Sequence, residues 1–112
     1  MKRDISDYVL DILNECNYLI KRTKENSYVS FMANEDLQKA FVRSLEIIGE
    51  ASKKIPDEIK RNYTQIKWRN IAGMRDVLIH DYFGVDYEVV WKTAIKRIPE
   101  LKSAIEEIIK NI

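Results

Sequence analysis

Trp68-Arg69-Asn70-Ile71-Ala72-Gly73-Met74-Arg75-Asp76-Val77-Leu78-Ile79-His80-Asp81-Tyr82 is the stretch on which the reading of this chain turns. At about 100° per residue, Trp68, Ile71, Ala72, Leu78 and Ile79 fall on one apolar arc, which predicts a helix from about Lys67 to His80. Arg69, Gly73, Asp76 and His80 line another flank at spacings of four, three and four. Asp76 and His80 are then neighbours, where a carboxylate can set the imidazole's tautomer. Arg75 is out of place, because it projects into the apolar arc between Trp68 and Ile71. A cation on a burying face needs a partner or an interface. Glu46 or Glu50 would serve as the partner, and a contact between subunits is the alternative.

Outward from this stretch the chain reads as helix after helix. Toward the N-terminus, Ile5, Tyr8, Val9, Ile12, Leu13, Cys16, Leu19 and Ile20 recur at gaps of three and four, predicting a helix from roughly Asp4 to Lys24. Tyr28 to Ala33 reads as a connecting loop. Asn34 then suits an N-cap, with Glu35 and Asp36 in a first turn that favours negative charge. The second helix runs to about Ile55, with Leu37, Phe41, Leu45, Ile48 and Ile55 on one face. Gly49 lies inside it at a cost of about 1 kcal/mol relative to Ala, and close approach of a neighbouring helix is one reason to keep it. Pro56-Asp57-Glu58 stops that helix and starts a short turn or helix through Asn62.

Beyond the central stretch, the residues from Asp81 to Val85 break the pattern and Asp86 caps a fourth helix carrying Val89, Val90, Ala94, Ile95 and Ile98. Pro99 marks a kink or a fresh start. Leu101, Ile105, Ile108 and Ile109 continue the apolar face to the end. The expected fold is all-α: a single domain over 1–112, an up-and-down bundle of four to five helices.

Composition agrees. The 112 residues hold only three Gly and two Pro, too few for a turn-rich β fold, and the 46% hydrophobic share argues against disorder. No apolar run reaches the about 18–20 residues of a membrane helix, and Met1-Lys2-Arg3-Asp4 does not open a signal peptide. One cysteine on an apolar stripe suits a reducing compartment, so a cytoplasmic protein is expected. Trp68 and Trp91 read most simply as core.

Net charge is +1, which gives no global footprint for nucleic acid, but the charge is uneven. From Lys53 to Arg75 there are seven cations and two anions, a net of +5; the remainder, with 12 cations and 16 anions, carries −4. The basic zone reads either as solvated surface or as a place for phosphates. His80, the single histidine, reads alone as a helix-ending side chain or as the centre of acid–base chemistry. One His and one Cys cannot build a usual zinc site, and no Gly-rich phosphate loop, nucleophile elbow or His-Glu-x-x-His is present.

Leu45-Glu46-Ile47-Ile48-Gly49-Glu50-Ala51, the central stretch continued through Phe83-Gly84-Val85-Asp86, and Val90-Trp91 together resemble the HepT-like family of HEPN-domain toxins. The diagnostic piece is Arg-x4-His-x-Tyr, here Arg75, His80 and Tyr82, set between Trp-Arg-x-Ile-Ala-Gly-Met and Tyr-Phe-Gly-Val-Asp. The resemblance runs essentially end to end. It implies a homodimeric, metal-independent endoribonuclease that needs no cofactor for catalysis. It also implies a toxin–antitoxin pair, in which a minimal nucleotidyltransferase (MNT) antitoxin neutralises the toxin by moving AMP from ATP onto the motif tyrosine, Tyr82.

On an ideal helix, five residues put Arg75 and His80 roughly 140° apart, so one regular helix does not converge them. Either the helix unwinds near His80, or a two-fold dimer gathers both motif copies around one cleft. The dimer is preferred, because it also places Arg75 at an interface. The expected roles are His80 as general acid or base, Arg75 stabilising the charged phosphorane, Asp76 orienting His80 and Arg69 adding to phosphate binding, with RNA as substrate. The alternative is a catalytically weak helical partner or scaffold for the nucleotidyltransferase.

Overall fold

Asp4 opens the first helix through a reciprocal cap: its carboxylate accepts from the Ser6 and Asp7 amides, and the Asp7 carboxylate accepts from the Asp4 amide at 3.1 Å. The computed structural model describes residues 3–80 and 84–112, with the backbone alone at Val77, Ile79 and His80. Helix α1 spans Ile5–Glu25 and buries Val9, Ile12, Cys16 and Leu19, the stripe that the spacing predicts. Helix α3, Glu35–Ser52, begins at Asn34, whose side chain accepts from the Leu37 amide at 3.0 Å. The last long helix is α7, Tyr87–Asn111, and its cap is Asp86. These three pack on one another, α1 against both α3 and α7.

Between α1 and α3 the expectation of a loop fails. Residues Tyr28–Met32 form a short helix, α2, started by a Ser27–Ser30 capping box. Its reason is tertiary: Phe31 is fully buried, with ring centroids 4.9 Å from Phe41 and 5.1 Å from Trp91. Burying such a side chain contributes about 1.5–3 kcal/mol, enough to hold one turn of helix that five residues could not sustain alone. Gln38, itself buried, donates from Nε2 to the Phe31 and Met32 carbonyls at 3.1 and 3.0 Å, satisfying the end of that turn.

After α3 come the short helices α4 (Asp57–Lys60), α5 (Trp68–Ala72) and α6 (Met74–Leu78). An antiparallel pairing of two short strands follows, β1 (Ile79–His80) with β2 (Gly84–Val85), in the register Ile79↔Val85 and His80↔Gly84. The fold is all-α as expected, with three long helices and four short ones among the described residues in place of four to five. Pro99 does not restart the last helix: α7 runs through it as one element, with Pro99 on the exposed side. Ile95, read as part of the apolar face, is 44% exposed. Trp91 is core and Trp68 is half-buried.

Candidate active site

The central stretch is not one helix. Gly73 ends α5, donating its amide to the Arg69 carbonyl at 2.9 Å, and then accepts from the Asp76 amide at 2.9 Å to start α6. That second bond spans three residues where a continuous helix would span four, so the helical phase is reset at Gly73. Helix α6 itself stops at Leu78, and the backbone of His80 is extended and paired with Gly84. The Asp86 amide donates to the Leu78 carbonyl at 2.8 Å, closing the turn back into α7.

The reset corrects the single-helix geometry of Arg69, Gly73, Asp76 and His80, which no longer share one regular flank. The buried face also corrects Arg75. Ile71, Met74 and Leu78 are buried, while Arg75 and Asp76 are both exposed. Arg75 forms no ion pair with Glu46 or Glu50; Glu50 instead holds Lys53 at 3.1 Å. Of the two ways to relate Arg75 to His80, loss of regular helix between them is realised within the chain. Tyr82 lies outside the described residues, as does the His80 side chain.

Two close contacts hold this unit. A Cβ built on Gly49 would lie 3.0 Å from the Ile71 carbonyl oxygen and 3.4 Å from the Met74 Cβ, so α3 meets the α5–α6 junction backbone to backbone. The neighbour suspected from Gly49 is therefore real. At the other end of α5, Trp68 donates from Nε1 to the Tyr63 carbonyl at 3.1 Å, and the Lys60 ammonium sits 5.7 Å from its ring centroid. Every other cation of the basic zone, Arg69 and Arg75 included, is exposed. The arrangement presents guanidinium groups to solvent beside a buried aromatic and aliphatic footing.

One feature lies outside the residues that the sequence singles out. A cavity of about 200 Å³ opens between α5 and α7, floored by Ile66, Ile71, Met74 and Leu101. Thr93, Arg97, Glu100 and Leu101 share one side of α7 at helical spacing, which is legible in the sequence; that this side faces α5 is not. Among the described residues, no helix is long and apolar enough to cross a membrane.

Comparison with known proteins bears on the same stretch. Residues 12–108 match the family described as Ribonuclease HepT-like. "Putative RNase TTE0752" of Caldanaerobacter subterraneus subsp. tengcongensis is 50% identical over 104 residues, 93% of each chain. "Putative RNase MJ1216" of Methanocaldococcus jannaschii is 50% identical over 111 residues, covering 99% of this chain and 92% of that one. "Probable ribonuclease HepT" of Thermococcus cleftensis is 46% identical over 110 residues, covering 98% of this chain and 100% of that one. No solved structure matches. The matched span includes α5, the Gly73 break, Arg75 and His80, and this chain belongs to the HepT-like ribonuclease family.

Proposed function

We propose that this HepT-like ribonuclease cuts RNA internally without a metal, using Arg75 and His80 at a cleft shared by two copies of the chain. His80 takes the proton of a ribose 2′-OH as O2′ attacks the adjacent phosphorus. The bond to the leaving 5′ oxygen then breaks, and a proton passes to that oxygen from the second His80 of the dimer. The products are a 2′,3′-cyclic phosphate and a 5′-OH end. Arg75 stabilises the charge on the phosphorane and Arg69 adds to phosphate binding, while Asp76, no longer on one helical flank with His80, would orient it only from α6 across the turn into β1. The observation that carries this reading is Arg75 itself: exposed, without an ion-pair partner among the described residues, and in the helix just before the strand that contains His80.

The chain acts as the toxin of a pair. A nucleotidyltransferase partner breaks the α–β anhydride of ATP, bonds the AMP phosphorus to the Tyr82 phenol oxygen and releases pyrophosphate. A bulky anionic adduct two residues from His80 then excludes RNA by sterics and repulsion.

Purified protein incubated with RNA in EDTA tests the first part. Cyclic-phosphate ends are expected, DNA stays intact, and cleavage by His80→Ala equal to wild type sinks the assignment. Intact mass after mixing with the partner and ATP tests the second. A gain of AMP on wild type but not on Tyr82→Phe is expected, and an equal gain on both removes Tyr82 as acceptor.

A further inference from the structure

The cavity between α5 and α7 is a second feature of the motif region, and nothing in the cleavage chemistry uses it. Its floor is apolar, and Met74, the residue before Arg75, forms part of it. Its rim is polar: Gln65, Lys67, Asn70, Arg97 and Glu100. None of these five side chains is held in an ion pair or hydrogen bond with another described residue. Two cations, two amides and a carboxylate therefore stand around an apolar hole with their capacity unspent.

Size narrows what fits. Drug-sized ligands take roughly 300–1,000 Å³. A cavity of about 200 Å³ suits one flat ring system and leaves a sugar and phosphate outside it. Amide and carboxylate groups at the rim match the donor and acceptor edges of a nucleobase, while the aliphatic and thioether floor takes its face. Lys67 and Arg97 are placed for phosphates flanking that base.

The geometry points to a subsite for one unpaired RNA base, which would position the strand next to Arg75. This rests on the ribonuclease reading above and extends it: single-stranded RNA is recognised here by a base turned into the cavity. Near-neutral net charge fits this, since a chain of +1 gains little from non-specific attraction and needs a local hold on its substrate.

The three methionines, Met1, Met32 and Met74, make the test direct. The intact protein is labelled with ¹³C at the methionine methyls and titrated with a single-stranded 2′-O-methyl oligoribonucleotide, which cannot be cleaved. The Met74 methyl signal should shift saturably. Met32 should not move, because it belongs to α2, which faces the Trp91 side of α7 and not the Arg97 side. The same oligonucleotide made abasic should bind at least about tenfold more weakly, as expected when base contacts are lost. Asn70→Ala and Arg97→Ala, both at exposed positions, should each weaken binding about 5- to 10-fold, and Arg97→Ala should also lower its salt dependence.

A silent Met74 alongside normal cleavage of ordinary RNA overturns the subsite and leaves the ribonuclease reading intact. So does equal affinity for intact and abasic strands. A shift with free nucleoside monophosphates but not with the oligonucleotide overturns it as an RNA subsite. Loss of all cleavage with the Met74 shift retained overturns the ribonuclease reading and supports the base pocket alone.

Discussion

Gly49 of α3 lies directly beneath the carbonyl of Ile71 in α5, so close that a Cβ at position 49 would approach that oxygen to 3.0 Å. This contact seats the α5–α6 junction on the long-helix core. A side chain here must push backbone and not a flexible tip. Gly49→Val is expected to destabilise the fold by about 2 kcal/mol or more, since overpacking outweighs any gain in helix propensity. Urea denaturation reads the loss, and an unchanged midpoint would show that the junction yields freely.

Arg75 is exposed and has no ion-pair partner among the described residues, so it can be changed without disturbing the core. Arg75→Lys keeps the charge but loses the planar fork that suits a phosphorane. RNA cleavage should fall by about 10²-fold or more, on the scale of losing a positioned electrostatic donor. Stability should stay within about 0.5 kcal/mol of wild type, as for most surface changes. A lysine variant as active as wild type would remove Arg75 from the phosphate site.

Gly84 has φ +75°, a left-handed conformation, and pairs with His80 across the two short strands. Gly84→Ala strains that backbone and should cost about 1 kcal/mol. Because the pairing fixes where the His80 backbone runs, cleavage should drop further than the stability loss alone implies. Gly84→Asn, which tolerates this conformation better, should recover part of both. Thermal melts beside cleavage rates separate the two effects.

Cys16 is fully buried on the α1 stripe, and burial pushes its thiol up to about 12. The native thiol should therefore resist alkylation at pH 8 and react only on unfolding. In the unfolded chain the thiol ionises near its ordinary value of about 8.5. Above that pH the unfolded state has released a proton that the folded state keeps, so stability falls as pH rises from about 8.5 toward 12. Cys16→Ala would remove this part of the alkaline loss. If its stability changes with pH as wild type does over that window, Cys16 is not the group responsible.

Periodicity and caps alone determined α1, α3 and the start of α7, which then runs through Pro99 as one element. Each has an apolar face long enough to declare its period, and Asp4, Asn34 and Asp86 carry the polar side chains that helix starts require. The Arg-x4-His-x-Tyr pattern likewise placed the family and the candidate residues without any coordinates. Tertiary structure decided the rest. Phe31 makes α2 a helix because Phe41 and Trp91, distant in sequence, receive its ring. Gly73 interrupts the central stretch where the α3 backbone at Gly49 presses against the Ile71 carbonyl. The expected arc of Trp68, Ile71, Ala72, Leu78 and Ile79 would have enclosed Arg75; the face that is buried is Ile71, Met74 and Leu78, with Trp68 and Ala72 only partly covered, and Arg75 lies beside it in solvent. Local pattern reports which residues want to be buried. Only contact between segments distant in sequence decides which of them are.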